Sequence, residues 1–433
     1  MILRHYAPLV GLALLLGHPA TPLAAQDGPD TIGAKLVQDA AVRAGLDYLR
    51  TNEPQLIEEQ IRICQVPAPP YKEEKRAAVV KGLFESLGLK NVRIDKEGNV
   101  LGERPGAAPH PHLVFSAHLD TVFPEGTDVT VKREGTVLKG PGIGDDCRGL
   151  AVLLGVIRAM NQAKIQTAGS ITFVADVGEE GLGDLRGVKH IFNVAMKDTV
   201  DRFVSIDGTG LGITHIGVGS KRYRVTFKGP GGHSYGAFGL ANPIHALGRA
   251  MAKVSEFKVP ASPKTTFNVG RIGGGTSVNA IPFEAWMEVD MRSADQASLS
   301  AVDAAFHKAV DEAVAEENAR WQKEGPEAMH GRGDYRVSVD KKLVGDRPAG
   351  RTDATAAIIK ATVSVTKALD LPVALDEGST DSNIPMNLGI AAVTIDGGGR
   401  GTGAHALDES FDTTDSWKGT ERAFLVAIAL AQK

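Results

Sequence analysis

The sequence predicts an α/β protein in which a sheet covered on both faces by helices is interrupted by a β-α-β-β-α-β unit. Three observations predict it. Leu113–Val122, Ile171–Val177 and Asp201–Ile206 are apolar runs of strand length that alternate with helical stretches. After Asp207 the pattern changes: Ser220–Lys228 alternates, with Tyr223, Val225 and Phe227 on one side, as in a half-buried strand. A chain of 433 residues also exceeds one ordinary domain, so two are expected.

The elements follow in order. Residues 1–25 read as a signal peptide: Arg4 and His5 lead, Leu9–Leu16 form an apolar core too short to span a bilayer, and Ala24–Ala25 offer a small-residue cleavage site. The expected product is exported, periplasmic or secreted, with no membrane anchor after cleavage. A helical stretch runs from Ala34 to Arg62, and the turn Pro67-Ala68-Pro69-Pro70 separates it from a helix starting near Lys72. Leu150–Met160 is apolar throughout and reads as a buried helix between two of the strands. The alternating strand is followed by a helix at Pro243–Phe257, strands at Thr265–Ile272 and Glu284–Arg292, a helix at Gln296–Arg320 and a strand at Tyr335–Asp340. In the second helix Leu299, Val302, Phe306, Val310 and Val314 recur at spacings of three and four. That order is the ferredoxin-like unit. A helix at Asp353–Leu369 and a strand at Ala391–Ile395 return the chain to the first domain. The division expected is 30–213, an inserted unit at 214–345, and 346–433.

Composition excludes several classes of partner. Apolar content of 42%, charge of 23% and a net charge of −4 describe a globular chain with ample core and no basic surface for nucleic acid. The only cysteines, Cys64 and Cys147, show no metal-binding spacing; two buried thiols are the expectation.

Chemistry-bearing residues stand where such a sheet presents its ligand-binding edge. They are His118 and Asp120 in SAHLDTV, Asp145 in GPGIGDDCRG, Glu179–Glu180 in ADVGEE, Asp207 in VSIDGTG and His405 in GTGAHALDE. His118 and Asp120, two apart on a strand, project from one face. Asp145, in a glycine-flanked turn, offers two oxygens for a pair of metals, whereas Asp146 suits a helix cap. Adjacent glutamates at a strand end point apart, so one can ligate while the other faces a reacting water, and two buried like charges call for a cation nearby or a proton between them. Two imidazoles, the carboxylates and one spare glutamate suffice for a dinuclear site with a general base.

With these residues assembled, the chain resembles the dinuclear zinc exopeptidases and deacylases, the family of peptidase T, carboxypeptidase G, aminoacylase, acetylornithine deacetylase and succinyl-diaminopimelate desuccinylase. The resemblance runs from about Ile57 to the C-terminus with the motifs in family order. It implies a three-layer zinc-exopeptidase catalytic domain with a ferredoxin-like lid that serves dimerisation. It makes Asp145 the bridging ligand, with His118 and Asp207 on one metal and Glu180 and His405 on the other. Asp120 would orient His118, and Glu179 would be the general base. A cis peptide is implied at Asp145–Asp146. In the lid, His233 of GPGGHS would reach the partner subunit's site to stabilise an oxyanion, and Asn279 and Arg292 would hold the substrate's carboxylate. STDSN, Ser379–Asn383, matches a loop near the site. Two zinc ions are implied, with cobalt or manganese also compatible. Cys147 departs from the lysine or methionine frequent at its position. Asp207 looks like the peptidase T branch and GPGIGDD like carboxypeptidase G.

The first functional expectation is an exported homodimeric exopeptidase that hydrolyses short peptides, from either the N- or the C-terminal end, through attack by a metal-activated hydroxide. N-acyl-amino-acid deacylation is the alternative within enzymes. A peptide-binding protein on an inactive hydrolase scaffold is the alternative outside them.

Overall fold

In the computed structural model, residues 28–324 and 335–432 are described; the signal peptide expected at residues 1–25 lies outside them. Four central strands are parallel and neighbours in space: Ile171–Asp176, Leu113–His118, Arg202–Ile206 and Ala391–Ile395. The first three are almost wholly buried, which is why they read as continuous apolar runs. Antiparallel strands extend the sheet on both sides: Val100–Arg104 and then Lys90–Ile94 on one, Gly212–Gly217 on the other, where Gly350–Arg351 and, in parallel, Ala374–Gly378 pair beyond it.

Period-two alternation along each strand feeds two layers. Phe115 and Phe173 face the larger core, where they meet edge to face with ring centroids 6.1 Å apart. Val114 and Val174 face the other layer, among Leu185, Val188 and Ile191. The larger layer holds the helices Ala40–Cys64, Cys147–Gln162, Ala357–Ala368 and Trp417–Leu430. Cys147–Gln162 is buried nearly all round, as its sequence predicts. The helix expected at Ala34–Arg62 is in fact two. Asp39 caps the second by accepting from Ala41 N and Val42 N at 2.8 and 3.0 Å, and the chain breaks there.

The inserted unit runs from Gly219 to Arg347. Its strands are Gly219–Lys228, Thr265–Gly274, Glu284–Ser293 and Ser338–Arg347, all antiparallel, with Glu284–Ser293 and Gly219–Lys228 in the centre. Tyr223, Val225 and Phe227 bury against the helices Pro243–Ser255 and Gln296–Glu324, alongside Leu299, Val302, Phe306 and Val310. Two features depart from the sequence reading. Gly212–Gly217 belongs to the large sheet, paired with Ala391–Ile395, and the last strand of the unit starts at Ser338 rather than Tyr335 and continues to Arg347. A further small sheet, formed by Lys132–Glu134, Val137–Lys139, Arg400–Thr402 and Ser410–Asp412, has strands of three residues, too short to carry a periodic signal.

The expectation of two free thiols is also corrected. Cys64 ends one helix and Cys147 begins another, and packing these termini together brings the Cα atoms to 5.4 Å and joins the sulfurs in a disulfide. The bridge closes a separation of 83 residues. Replacing both cysteines with alanine is expected to cost about 2–4 kcal/mol of stability, read as a lowered denaturant midpoint.

Candidate metal and catalytic site

The carboxyl ends of the parallel strands converge on a cavity of about 540 Å³ lined by Asp145, Glu179, Glu180, Asp207 and His405 from the large domain. His118 ends its strand in register with Asp176, so the Glu179–Glu180 turn leaves the sheet beside it. Asp207 follows Ile206 at the end of the adjacent strand.

Two donor sets share Asp145. Ligand atoms of His118, Asp145 and Asp207 lie within 4.8 Å of one another, and so do those of Asp145, Glu180 and His405. Within them His118 Nε2 is 3.1 Å from Asp145 Oδ1, while His405 Nε2 is 3.3 Å from Asp145 Oδ2 and 2.9 Å from Glu180 Oε1. The two oxygens of one carboxylate thus face two different imidazoles, as a bridging ligand requires.

The turn that presents Asp145 is built for it. The Asp145–Asp146 peptide is cis. Asp146 points the other way, accepting from Gly149 N at 2.9 Å as the helix cap and from His118 N at 3.1 Å. Asp120, fully buried, accepts from Gly178 N, Glu179 N and Glu180 N at 2.9, 3.1 and 2.8 Å. Its carboxylate also stands 3.6 Å from His118 Nδ1, whose nearer partner is the Asp120 carbonyl oxygen at 3.1 Å. One side chain therefore fixes the glutamate pair and faces the histidine.

Electrostatics show what the cluster lacks. Burial pushes Asp207 up to about 7, and the neighbouring Asp145 adds to it. Burial also raises Glu179 well above the carboxylate range, against the opposing pull of Arg347. Burial works on Asp145 in the same sense, but hydrogen bonds with His118 and His405 outweigh it and hold it far below. His405 is pulled up to about 10 by its bonds to Asp145 and Glu180, and His118 is raised despite burial by Asp120 and Asp145. Protons are drawn to the imidazoles because the surrounding carboxylates demand positive charge. A mixed imidazole and carboxylate set fits divalent zinc, and also cobalt or manganese.

Ligand atoms of Glu179 also lie within 4.8 Å of those of His118 and Glu180, but Glu179 differs from Glu180 in its arginine partner. Its Oε1 accepts from Arg347 Nη1 at 3.0 Å, and Arg347 Nη2 donates to the Glu179 carbonyl oxygen. Arg347 also meets Ser379 Oγ at 3.2 Å, so the STDSN loop touches the site through its first residue. Arg347 escaped the sequence reading, as did Arg222. Arg347 ends one strand of the inserted unit and Arg222 lies within another, 168 residues from Glu179 and 41 from Gly181 respectively, and only the topology brings them back.

Of the lid residues singled out in the sequence, Arg292 lines the cavity. It shares Asp290 with Arg222, their Nε atoms lying 2.8 and 2.9 Å from its two oxygens. His233 and Asn279 do not line it. They sit together on an exposed part of the lid, where Ser234 N donates to Asn279 O at 2.9 Å and His233 Nδ1 accepts from Gly236 N at 3.2 Å.

Comparison with known proteins agrees with this fold. Residues 218–318 match the peptidase dimerisation domain, and residues 99–229 match peptidase family M28. In sequence the chain is 26% identical over 311 residues to the uncharacterised protein YqjE of Bacillus subtilis, covering 67% of this chain and 81% of that one. It is 26% identical over 261 residues to the cytosol non-specific dipeptidase of Escherichia coli, covering 53% of this chain and about half, 51%, of the dipeptidase. In fold it resembles aminopeptidase PepT from Bacillus cereus, with a TM-score of 0.67 and 20% identity over 88% of this chain and 99% of that one. It also resembles YXEP of Bacillus subtilis, described as a dinuclear metal-binding peptidase of the M20 family, with a TM-score of 0.64 and 17% identity over 89% and 100% of the two chains.

Zinc uptake near pH 7 is expected to release protons, because His118 and His405 hold protons that an ion must displace; affinity therefore rises with pH. Calorimetry in buffers of different ionisation enthalpy measures the number released. Uptake with no proton release would contradict the histidines as ligands.

Proposed function

We propose that this chain, which belongs to the dinuclear metal exopeptidases and deacylases, is an exported exopeptidase acting on short peptides that carry a free carboxylate. The observation that carries the reading is the separation of roles between adjacent glutamates. Glu180 meets His405 within the donor set around Asp145, while Glu179 is held by Arg347 at the edge of the same cavity. His118, Asp145 and Asp207 would hold one divalent ion and Asp145, Glu180 and His405 a second, and such ions would supply Lewis-acid activation of water and of the scissile carbonyl.

The chain's own groups do the rest. Glu179 takes the proton from the attacking water and returns it to the leaving amine. Arg347 fixes the carboxylate in place and opposes, without overcoming, the effect of burial on it. Arg222 and Arg292 present two guanidinium groups to one aspartate, Asp290, which leaves one positive charge facing the cavity. That surplus suits a single substrate carboxylate, gripped by Arg292.

Export is supported by the N-terminal Leu9–Leu16 segment ahead of Ala24–Ala25, and by a disulfide suited to an oxidising compartment. Two copies would join through the lid, which matches the dimerisation domain and exposes Tyr235, Phe238 and Val278 near His233 and Asn279. In that arrangement His233 serves the partner's cavity rather than its own. Sedimentation is expected to show a dimer, and a monomer at working concentration removes this role from His233.

A mass-spectrometric time course on a tripeptide tests the main reading. Stepwise release of one terminal residue, abolished by a chelator and restored by zinc, is the expected result, and the residue released first fixes the direction. Glu179→Gln is expected to retain both ions and lose about 10²–10⁴-fold in kcat. Cleavage of N-acyl amino acids with no peptide turnover would move the assignment to the deacylases. Binding of peptides with neither activity would leave a binding protein.

A further inference from the structure

Glu409 is only 2% exposed, and its carboxylate is enclosed by the loop that carries Asp145. Gly142 N donates to Oε2 at 3.0 Å, and Gly144 N and Asp145 N donate to Oε1 at 2.8 and 3.0 Å. Glycine makes this enclosure possible. Gly142 has φ of +76°, and a Cβ on Gly144 would lie 3.1 Å from Glu409 Oε1 and 2.9 Å from Thr209 Cγ2. The main chain is tied in as well: Gly140 N donates to Glu409 O at 2.9 Å, and Ser410 pairs with Lys139 in the small sheet.

On its other side Glu409 closes the turn of His405. Glu409 N donates to Ala406 O at 3.1 Å, Ala406 N donates to Gly403 O at 2.8 Å, and His405 between them adopts φ of 68°. One residue is thus fastened to the main chain of Asp145 and to the turn of His405, the two side chains that meet at 3.3 Å in the cavity. A buried carboxylate beside Asp145 is an expensive brace if holding a loop were its whole purpose, because the two negative charges repel. What a carboxylate offers is acceptors alone; an amide would turn its NH₂ group against at least one of the three N–H donors.

We propose that Glu409 is a positioning residue that sets the separation of Asp145 and His405, and thereby the affinity of the ion site formed by Asp145, Glu180 and His405. The inference rests on the reading of Asp145 as the bridging ligand. It goes further by giving a role to a side chain that touches neither substrate nor ion.

Titration of the metal-free full-length chain with Co²⁺, followed by calorimetry and visible absorption, tests it. Wild type is expected to bind two ions. In Glu409→Gln the affinity of the ion at Asp145, Glu180 and His405 falls ten- to a hundredfold, with a changed absorption band for that ion, while the other, which shares Asp145 but not His405, falls less. Glu409→Asp, which retains the charge on a shorter stem, recovers part of the loss. Gly144→Ala, which presses a methyl group against the carboxylate, weakens the same ion and serves should Glu409→Gln fail to fold. If a folded Glu409→Gln or Gly144→Ala protein binds both ions with wild-type affinity and spectrum, even with a lowered melting temperature, Glu409 is a structural brace and the proposal is overturned. Fewer than two ions on the wild type instead overturns the bridge at Asp145, and with it the dinuclear reading.

Discussion

The repulsion among buried carboxylates is the constraint around which the molecule is organised. Asp145, Glu179, Glu180 and Asp207 line one cavity, where burial first and their acidic neighbours second raise Asp207 and Glu179. The fold supplies compensation by several routes. Arg347 opposes the charge of Glu179, His118 and His405 oppose that of Asp145, and backbone N–H groups are aimed at Asp120, the carboxylate that anchors the glutamate turn. Parallel strands make this possible, because their carboxyl ends deliver His118, the Glu179–Glu180 turn and Asp207 to one edge from neighbouring positions. The remaining deficit of positive charge is what two divalent ions would fill. The cluster is therefore costly for stability and suited to binding, and the broad core beneath the sheet carries that cost.

Much of this was legible in the sequence, for a physical reason. Strands buried on both faces announce themselves as unbroken apolar runs, and Ile171–Asp176 and Leu113–His118 end where the polar residues begin, so the site edge can be read directly. The alternation of Tyr223, Val225 and Phe227 gave the inserted unit in the same way. What could not be read depends on contacts between distant segments. Arg347 sits 168 residues from Glu179, and nothing in DRPAG marks it as a partner for a glutamate. The disulfide was missed because pairing depends on two helix ends meeting, which the spacing of Cys64 and Cys147 does not encode. Gly212–Gly217 was missed because it is only half-buried over most of its length and is held by pairing with Ala374–Gly378, Gly350–Arg351 and Ala391–Ile395 rather than by its own apolarity.

The lid is tied to the catalytic turn itself rather than merely tethered to the large domain. Arg347 grips Glu179, Arg222 Nη1 donates to Gly181 O at 2.7 Å, and Asp346 N donates to Asp184 Oδ1 at 2.7 Å. Lys189 spans the same gap, pairing with Asp184 at 2.6 Å and donating to Asp346 O at 2.9 Å. These contacts all fall on residues 179–189, the segment that opens with the proposed base. The two places where the chain crosses between domains are bound together as well, since Asn383 Nδ2 donates to both Val218 O and Pro348 O at 2.9 Å. A rotation of the lid about those crossings would pull on Arg222, Asp346 and Arg347 together, and so on the orientation of Glu179. A third strand of the same sheet, Glu284–Ser293, carries Arg292, the residue proposed to grip a substrate carboxylate. In the proposed reading, substrate engagement by the lid and alignment of the base would act through one sheet, linking recognition at one end of the substrate to proton transfer at the scissile bond.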